Sequence, residues 1–156
     1  MGAHWLIVES PENWEVDRVN EFTSFGVHDR YRKAIGQMKL GDLLVTYVTK
    51  SSAFADIREI ASAGARPMSD GSAYDRKFDL EVETRPLAIL SPRFWVRASF
   101  LHDDLEITRG KRSPGLVFMT SVRRLPDGDG ARIVKAIEHA AEDERNSVEE
   151  SGGIKR

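Results

Sequence analysis

The sequence WLIVESPENW, residues 5–14, decides the fold because it joins a buried strand to a helix within a few residues. Residues 4–8 are aromatic, aliphatic and β-branched, and they do not alternate with polar residues, which is typical of a central strand. Ser10 then suits a helix N-cap and Pro11 the first helical position, with a short helix expected over 14–20. Side chains at such a junction project into a cleft rather than into the core.

Two further segments show the same pattern. The sequence FGVHDRY, residues 25–31, precedes a helix expected over 30–38, and LGD at 40–42 leads into a strand over 43–49. Polar and aromatic residues therefore gather again where helices and strands begin. A cleft with aromatic walls and a few polar groups suits a flat, hydrogen-bonding ligand such as a nucleobase.

The remainder of the chain predicts mainly strands. A clear period-2 alternation predicts a strand over 78–89, which Pro86 should break or bulge. This mixed order indicates an α+β domain in which a curved mixed sheet closes into a partial β-barrel flanked by helices. The other expected elements are strands at 54–63 and 116–119, helices at 92–98 and 128–143, and loops at 66–73 and 105–114.

Composition limits the class of protein. The 156 residues suit one domain and include no cysteine, which excludes disulfides, zinc ribbons and cysteine nucleophiles. The longest apolar runs are of strand length and no secretory signal is visible, so a cytoplasmic protein without a membrane partner is expected. The 25 acidic and 23 basic residues give a net charge of −2, which argues against sequence-blind coating of nucleic acid. Residues 142–156 are polar and are predicted to form a disordered tail.

These segments together resemble the EVE domain, a member of the PUA-like superfamily and a relative of the YTH domain. The resemblance rests on residues 5–14, 26–31, 39–42, 78–90 and 118–126 and covers about 3–141, so that 1–141 is taken as the domain. It implies a PUA-like barrel with a pocket that accepts a flipped, often methylated base of DNA or RNA. Residues 51–75 and 103–113 depart from the family pattern.

The resemblance and the cleft pattern together nominate the ligand-binding residues. Ser10 and Asn13 would hydrogen-bond a base edge while Trp14 forms a wall, although a helix cap followed by a core aromatic explains the same residues. Tyr31 would stack and Arg30 would meet a phosphate, or both belong to an ordinary turn and surface. The full candidate set is Ser10, Asn13, Trp14, Phe25, Gly26, Val27, Arg30, Tyr31, Tyr47, Thr120 and Ser121.

Some of these candidates carry specific alternatives. Gly26 would permit a close backbone approach or a positive φ. Tyr47 lies either at the pocket floor or in ordinary strand packing. Thr120 and Ser121 offer hydroxyls to the cleft or serve as turn residues. Two basic clusters would hold phosphates beside an extruded base, or form a solvated surface, and the nominated contacts are Arg109, Lys111, Arg112 and Arg123.

Other functions find weaker support. Asp79, Glu81 and Glu83 share one strand face, which indicates the wet side of a sheet rather than a metal site. The histidines lack metal-ligand spacing, and no cofactor or metal is expected. An amidohydrolase similar to the PUA-like ASCH group would need Thr49, Lys50 and Glu59 together, but adjacent strand residues face opposite sides. An adaptor that uses the acidic tail is a third hypothesis.

Overall fold

The computed structural model describes residues 2–68 and 78–154. Within these ranges the chain forms eight strands and three α-helices, together with short 3-10 helices at Asp29–Tyr31, Pro92–Phe94, Ala98–Leu101 and Pro114–Met119. The elements are β1 His4–Glu9, α1 Pro11–Val19, β2 Ser24–Val27, α2 Arg32–Ile35, β3 Leu43–Val48, β4 Ala53–Ile60, β5 Arg66–Pro67, β6 Leu80–Ile89, β7 Val96–Arg97, β8 Val122–Leu125 and α3 Asp127–Ile154.

The sheet is mixed and curved. Its strands follow the order β2-β6-β4-β3-β1-β8, while β5 pairs with β6 and β7 with β4. Only the β1–β3 pair is parallel among the described pairings, because the chain crosses over through α1, β2 and α2 between those two strands. The sheet curls into a half-barrel with helices at its sides, which confirms the predicted α+β class.

The sheet buries both of its faces. Trp5 and Leu6 are consecutive in β1 and therefore point to opposite faces, and each is at most 1% exposed. Leu6 joins a cluster beneath α3 that includes Ile133, while Trp5 joins a second cluster that includes Phe25. The predicted central position of the first strand is confirmed.

Local signals set several elements correctly. Ser10 caps α1 by accepting a hydrogen bond of 3.1 Å from the Asn13 backbone N–H, and Pro11 occupies the first turn. The register shift between Ile57 and Arg58, opposite Pro86, is the bulge that the proline predicts. The loop predicted over 66–73 begins instead with β5, and its residues 69–73 lie outside the described residues.

Three expectations were wrong. The strand predicted over 116–119 is a 3-10 helix, and β8 begins only at Val122, where the chain meets the edge of β1. The helix predicted over 92–98 is a short 3-10 helix at Pro92–Phe94 followed by the strand β7. The tail predicted as disordered continues α3 to Ile154, and Glu144 there accepts hydrogen bonds from the Ser91 N–H and hydroxyl at 3.0 and 2.6 Å.

Within the described ranges, no helix is both long enough and apolar enough to span a bilayer.

Candidate functional site

A cavity of about 220 Å³ lies where the half-barrel fails to close. The end of β1 and the start of β8 form one side, and β2, from the opposite end of the strand order, forms the other. The first turn of α1 and the 3-10 helix Pro114–Met119 supply the remaining walls. The volume is below the roughly 300–1,000 Å³ of drug-sized ligand sites, so it suits a single ring system.

We call the gap between the two end strands of the sheet, β2 and β8, the seam. Tyr31 holds this seam together. Its phenolic oxygen accepts a hydrogen bond of 3.3 Å from the Ser121 backbone N–H, joining the segment after β2 to the start of β8. Tyr31 lies outside the cavity lining, so this cavity does not support the expectation that it stacks on a ligand. Arg30 lies over the Tyr31 ring at 5.1 Å and also stands outside the lining.

The cavity walls include three phenylalanines. Phe25 and Phe118 are each 2% exposed, and Phe78 lines the cavity with them. Phe118 stacks face to face on Tyr47, with ring centroids 4.2 Å apart. Tyr47 therefore supports this wall from behind and does not itself line the cavity.

Gly26 makes room for one of these walls. A Cβ at this position would lie 2.4 Å from Cδ2 of Phe78, so only glycine lets that ring pack over β2. The backbone φ of Gly26 is not in the left-handed region, which leaves close approach as the reason for glycine. His28 also contacts Phe78, with ring centroids 4.8 Å apart.

Polar groups reach the cavity from one side. Asn13, 7% exposed, lines it from the first turn of α1 and carries a side-chain amide, a group that can donate and accept hydrogen bonds. Ser10 lines it too, although its hydroxyl already accepts the capping hydrogen bond. Ser121 and Val27 belong to the lining, whereas Thr120 does not.

Trp14 is the main correction among the site residues. It is 4% exposed and packs against Phe22 and Trp95, with ring centroids 5.3 and 5.0 Å apart. Its Nε1 donates a hydrogen bond of 2.8 Å to Asp56 Oδ2. Because this partner lies on β4, the indole turns into the core and anchors α1 to the sheet.

A buried ionic cluster lies next to the cavity. The Arg58 guanidinium, fully buried, contacts carboxylate oxygens of Glu9, Asp17 and Asp56 at 2.9, 2.8 and 3.1 Å. Glu9 also lines the cavity. Burial, followed by repulsion from Asp17, raises the pKa of Glu9 well above its usual range despite the Arg58 charge.

Sequence reasoning missed several lining residues. No sequence signal places Phe78 and Phe118 at a cleft, whereas Glu9 ends β1 and Thr49 directly follows the neighbouring strand β3. The rule that polar residues at strand ends project into clefts would have nominated the last two. Thr49 donates its backbone N–H to the Glu9 carbonyl at 2.9 Å, so the two strand ends meet at the cavity.

The predicted phosphate contacts lie outside the cavity lining. Arg109, Lys111 and Arg112 are exposed on a loop fixed by Asp129, whose carboxylate accepts the N–H groups of residues 106 and 107 at 2.7 and 3.0 Å. Arg123 is half-buried, and its Nη1 donates to the Val117 carbonyl at 3.4 Å.

The structure does not bring together Thr49, Lys50 and Glu59, the three residues that the amidohydrolase hypothesis requires. Glu59 pairs with Leu43 at the start of β3, whereas Thr49 follows the end of that strand, about 20 Å away at 3.3 Å per residue. Lys50 is largely exposed and lies 3.6 Å from Glu12. No group of three acidic or histidine side chains that could hold a metal occurs within residues 2–68 and 78–154.

Comparisons with known proteins fit this architecture. The crystal structure of Atu2648 from Agrobacterium tumefaciens superposes with a TM-score of 0.61 at 20% identity, covering 86% of this chain and 92% of that one. The YTH domain of Zygosaccharomyces rouxii MRB1, solved with N6-methyladenosine RNA, gives 0.64 at 14% identity over 87% and 86%. A hypothetical protein from Leishmania major gives 0.61 at 16% identity over 89% and 96%.

At these identities the structural matches establish a shared fold, and no curated protein matches the chain. The sequence model of the EVE domain matches residues 3–136, which span most of the half-barrel and the first part of α3. The chain therefore belongs to the EVE domain family and shares its fold with YTH domains.

Proposed function

We propose that this EVE domain binds DNA or RNA by taking one modified base, most simply a methylated one, into the seam cavity. The observation that carries the proposal is the cavity itself, in which Phe25, Phe78 and Phe118 surround a ring-sized space that the Asn13 amide reaches from the side. Aromatic walls bind a base through its faces, and an amide reads its edge.

The energetics favour a single-stranded or weakly paired target. Flipping a base out of a duplex costs a few kcal/mol, and stacking on aromatic side chains returns about 1–3 kcal/mol per base. A buried methyl group adds about 0.8 kcal/mol, equivalent to about fourfold in affinity. Discrimination between methylated and unmethylated strands is therefore modest unless the walls fit closely.

Two further points support nucleic acid as the ligand. The Zygosaccharomyces rouxii YTH domain, which shares this fold, was solved with N6-methyladenosine RNA. The exposed loop residues Arg109, Lys111 and Arg112 form no ion pair with the described residues and are retained as proposed phosphate contacts, together with Arg123. Neutralised phosphates release counterions, so binding should weaken as salt rises.

A screen of short single-stranded DNA and RNA oligonucleotides, each paired with its unmethylated counterpart, tests the proposal. We expect a methylated strand to bind more tightly than its counterpart, and Asn13→Ala to weaken that binding by about 1–3 kcal/mol, as the loss of base-edge hydrogen bonds requires. Asn146→Ala, exposed on α3, is the matched control. Failure of every oligonucleotide to bind, or binding by Asn13→Ala equal to that of the wild type, would overturn the proposal.

A further inference from the structure

A second recess, about 390 Å³ in volume, opens on the other side of the ring stack that supports the base cavity. Three other concavities each include a carboxylate: Glu9 in the base cavity, Glu144 beside β6 and Asp104 beside α3. This recess has none among its lining residues, in a chain whose net charge is −2. Besides Tyr47, its polar lining consists of three basic residues and three serines, which are Lys50, Arg97, His102, Ser51, Ser52 and Ser99.

The fold fixes the position of these groups. The turn between β3 and β4 is tied to the segment after β7, because the Ala98 N–H donates to the Ser52 carbonyl at 3.0 Å. Ala53 pairs directly with Arg97. Lys50 and Ser52 adopt φ values of 66° and 49°, a conformation that side-chain-bearing residues rarely take unless the surrounding structure holds them there.

The donors in the recess are available to a ligand. Within the part of the chain that the structure describes, Arg97 forms no ion pair, and the Ser52 and Ser99 hydroxyls make no hydrogen bond. The Lys50 ammonium lies 3.6 Å from the Glu12 carboxylate, but both side chains are more than half exposed, so this pair contributes little. A guanidinium, an ammonium and hydroxyls together match the oxygen atoms of a phosphate.

The recess and the base cavity are direct neighbours. Thr49 lines the cavity and Lys50 the recess, and consecutive Cα atoms are about 3.8 Å apart. Phe118 lines the cavity, while Tyr47, stacked on it, lines the recess. A nucleic-acid strand with one base in the cavity can therefore bring its backbone to the recess.

We infer that this recess binds a backbone phosphate of the strand whose base enters the cavity, with Arg97 and Lys50 as the charged contacts. The inference rests on the proposed function for its choice of ligand. The recess is thus a phosphate site in addition to the contacts proposed for the exposed loop at Arg109, Lys111 and Arg112.

The first test measures how oligonucleotide affinity depends on salt. Arg97→Ala should reduce the slope of log K against log salt by about 0.7, the value for one phosphate contact on a single strand. Lys50→Gly should act in the same direction without a folding penalty, since glycine favours the φ of 66° found there. Arg93→Ala, an exposed arginine outside the recess, removes the same charge and should leave the slope unchanged. Equal slopes for all four proteins would overturn the inference.

The second test separates this inference from the proposed function. An abasic deoxyribose-phosphate oligomer carries phosphodiesters but no base, and it should shift the amide NMR signals of Ser51, Ser52 and Ser99 in the wild type but not in Arg97→Ala. No response would overturn the phosphate site even if methylated strands bind. If inorganic phosphate shifted these signals and the abasic oligomer did not, the assignment to a strand backbone would also be overturned. A response to the abasic oligomer without binding of any base would leave the recess intact and remove the proposed function.

Discussion

Trp14 and Asp56 are joined by a hydrogen bond of 2.8 Å from the indole Nε1 to Oδ2, although 42 residues separate them. The same carboxylate accepts from the Thr46 hydroxyl at 2.6 Å and from Arg58. One side chain of α1 is thus tied to two strands of the sheet. Because Asn13 is the preceding residue, this tie also fixes the polar side of the cavity.

Replacing Trp14 should therefore affect stability before it affects binding. Trp14→Phe keeps an aromatic ring in the core but leaves one buried position on Asp56 without its donor, which costs about 1–3 kcal/mol. Denaturant unfolding measures this loss, and the affinity of the folded variant for a methylated strand should match that of the wild type. Phe118→Leu is the contrasting variant, since loss of a stacking wall should reduce affinity by about 1–3 kcal/mol. Weaker binding by folded Trp14→Phe than by Phe118→Leu would contradict this assignment of walls.

Gly26→Ala should impair binding more than folding. The added Cβ would lie 2.4 Å from Phe78 Cδ2, so the ring must move and the cavity wall moves with it. Alanine also restricts the unfolded chain, which offsets part of any loss in stability. We expect affinity for a methylated strand to fall by up to about 1–3 kcal/mol, the stacking energy of one base, in a titration at fixed salt.

Gly128→Ala is the control for that substitution, because a Cβ there meets nothing within 4 Å. It should bind as the wild type does. Full affinity in Gly26→Ala would show that the position of Phe78 does not matter to the ligand.

Sequence patterns predicted the elements whose signals are local. The cap at Ser10, the strand β1 and the bulge at Pro86 depend on neighbouring residues and were predicted correctly. The order of the strands could not be predicted, because the seam depends on contacts between distant residues. Tyr31 and Ser121, for example, are 90 residues apart. Without that seam, nothing distinguished an aromatic residue that faces the cavity from one that faces the core.

The wrong prediction for Trp14 shows why sequence patterns do not separate a cavity wall from a core residue. An aromatic residue in the first turn of a capped helix suits either a pocket wall or a core anchor, and the choice depends on whether its N–H finds a buried acceptor. Asp56 supplies that acceptor, and nothing in the sequence of a strand reveals a buried aspartate. The same holds for Arg58, a charged residue at 0% exposure whose partners come from β1, α1 and β4.

Asp42 should stabilise the fold only in its charged form. It is 3% exposed and accepts hydrogen bonds from Trp5 Nε1 and from the N–H groups of Ala3 and Lys39, all at 3.0 Å. Burial opposes ionisation, but these hydrogen bonds prevail and lower the pKa of Asp42. Its contribution is therefore complete above its unfolded pKa and is lost as pH falls through the lower folded value.

Asp42→Asn should cost about 1.5–3 kcal/mol near pH 7, because an amide nitrogen replaces one acceptor oxygen. The difference from the wild type in free energy of unfolding should narrow at acid pH, where Asp42 itself becomes protonated. Unfolding titrations at several pH values measure it. A constant difference down to acid pH would mean that charge plays no part.

Glu9 should have the opposite pH dependence. Burial and the nearby Asp17 raise its pKa well above the usual range, so the folded state favours the protonated acid. Its contribution to stability is complete below the unfolded pKa and declines as pH rises through the raised folded value. Glu9→Gln mimics the protonated form, since its amide oxygen can accept from Arg58 and its nitrogen can donate to Asp17.

The difference in Tm between Glu9→Gln and the wild type should therefore grow in favour of the variant from pH 5 to pH 8. Glu12→Gln is the control: Glu12 is exposed and its pKa is lowered, chiefly by a backbone hydrogen bond, so it cannot produce a gain that grows with pH. Thermal unfolding in buffers of equal ionic strength measures both variants. Equal lowering of Tm by Glu9→Gln at both pH values would mean that Glu9 is ionised in the folded protein. The cavity would then carry a carboxylate that repels a phosphate but accepts hydrogen bonds from the amino group of a base.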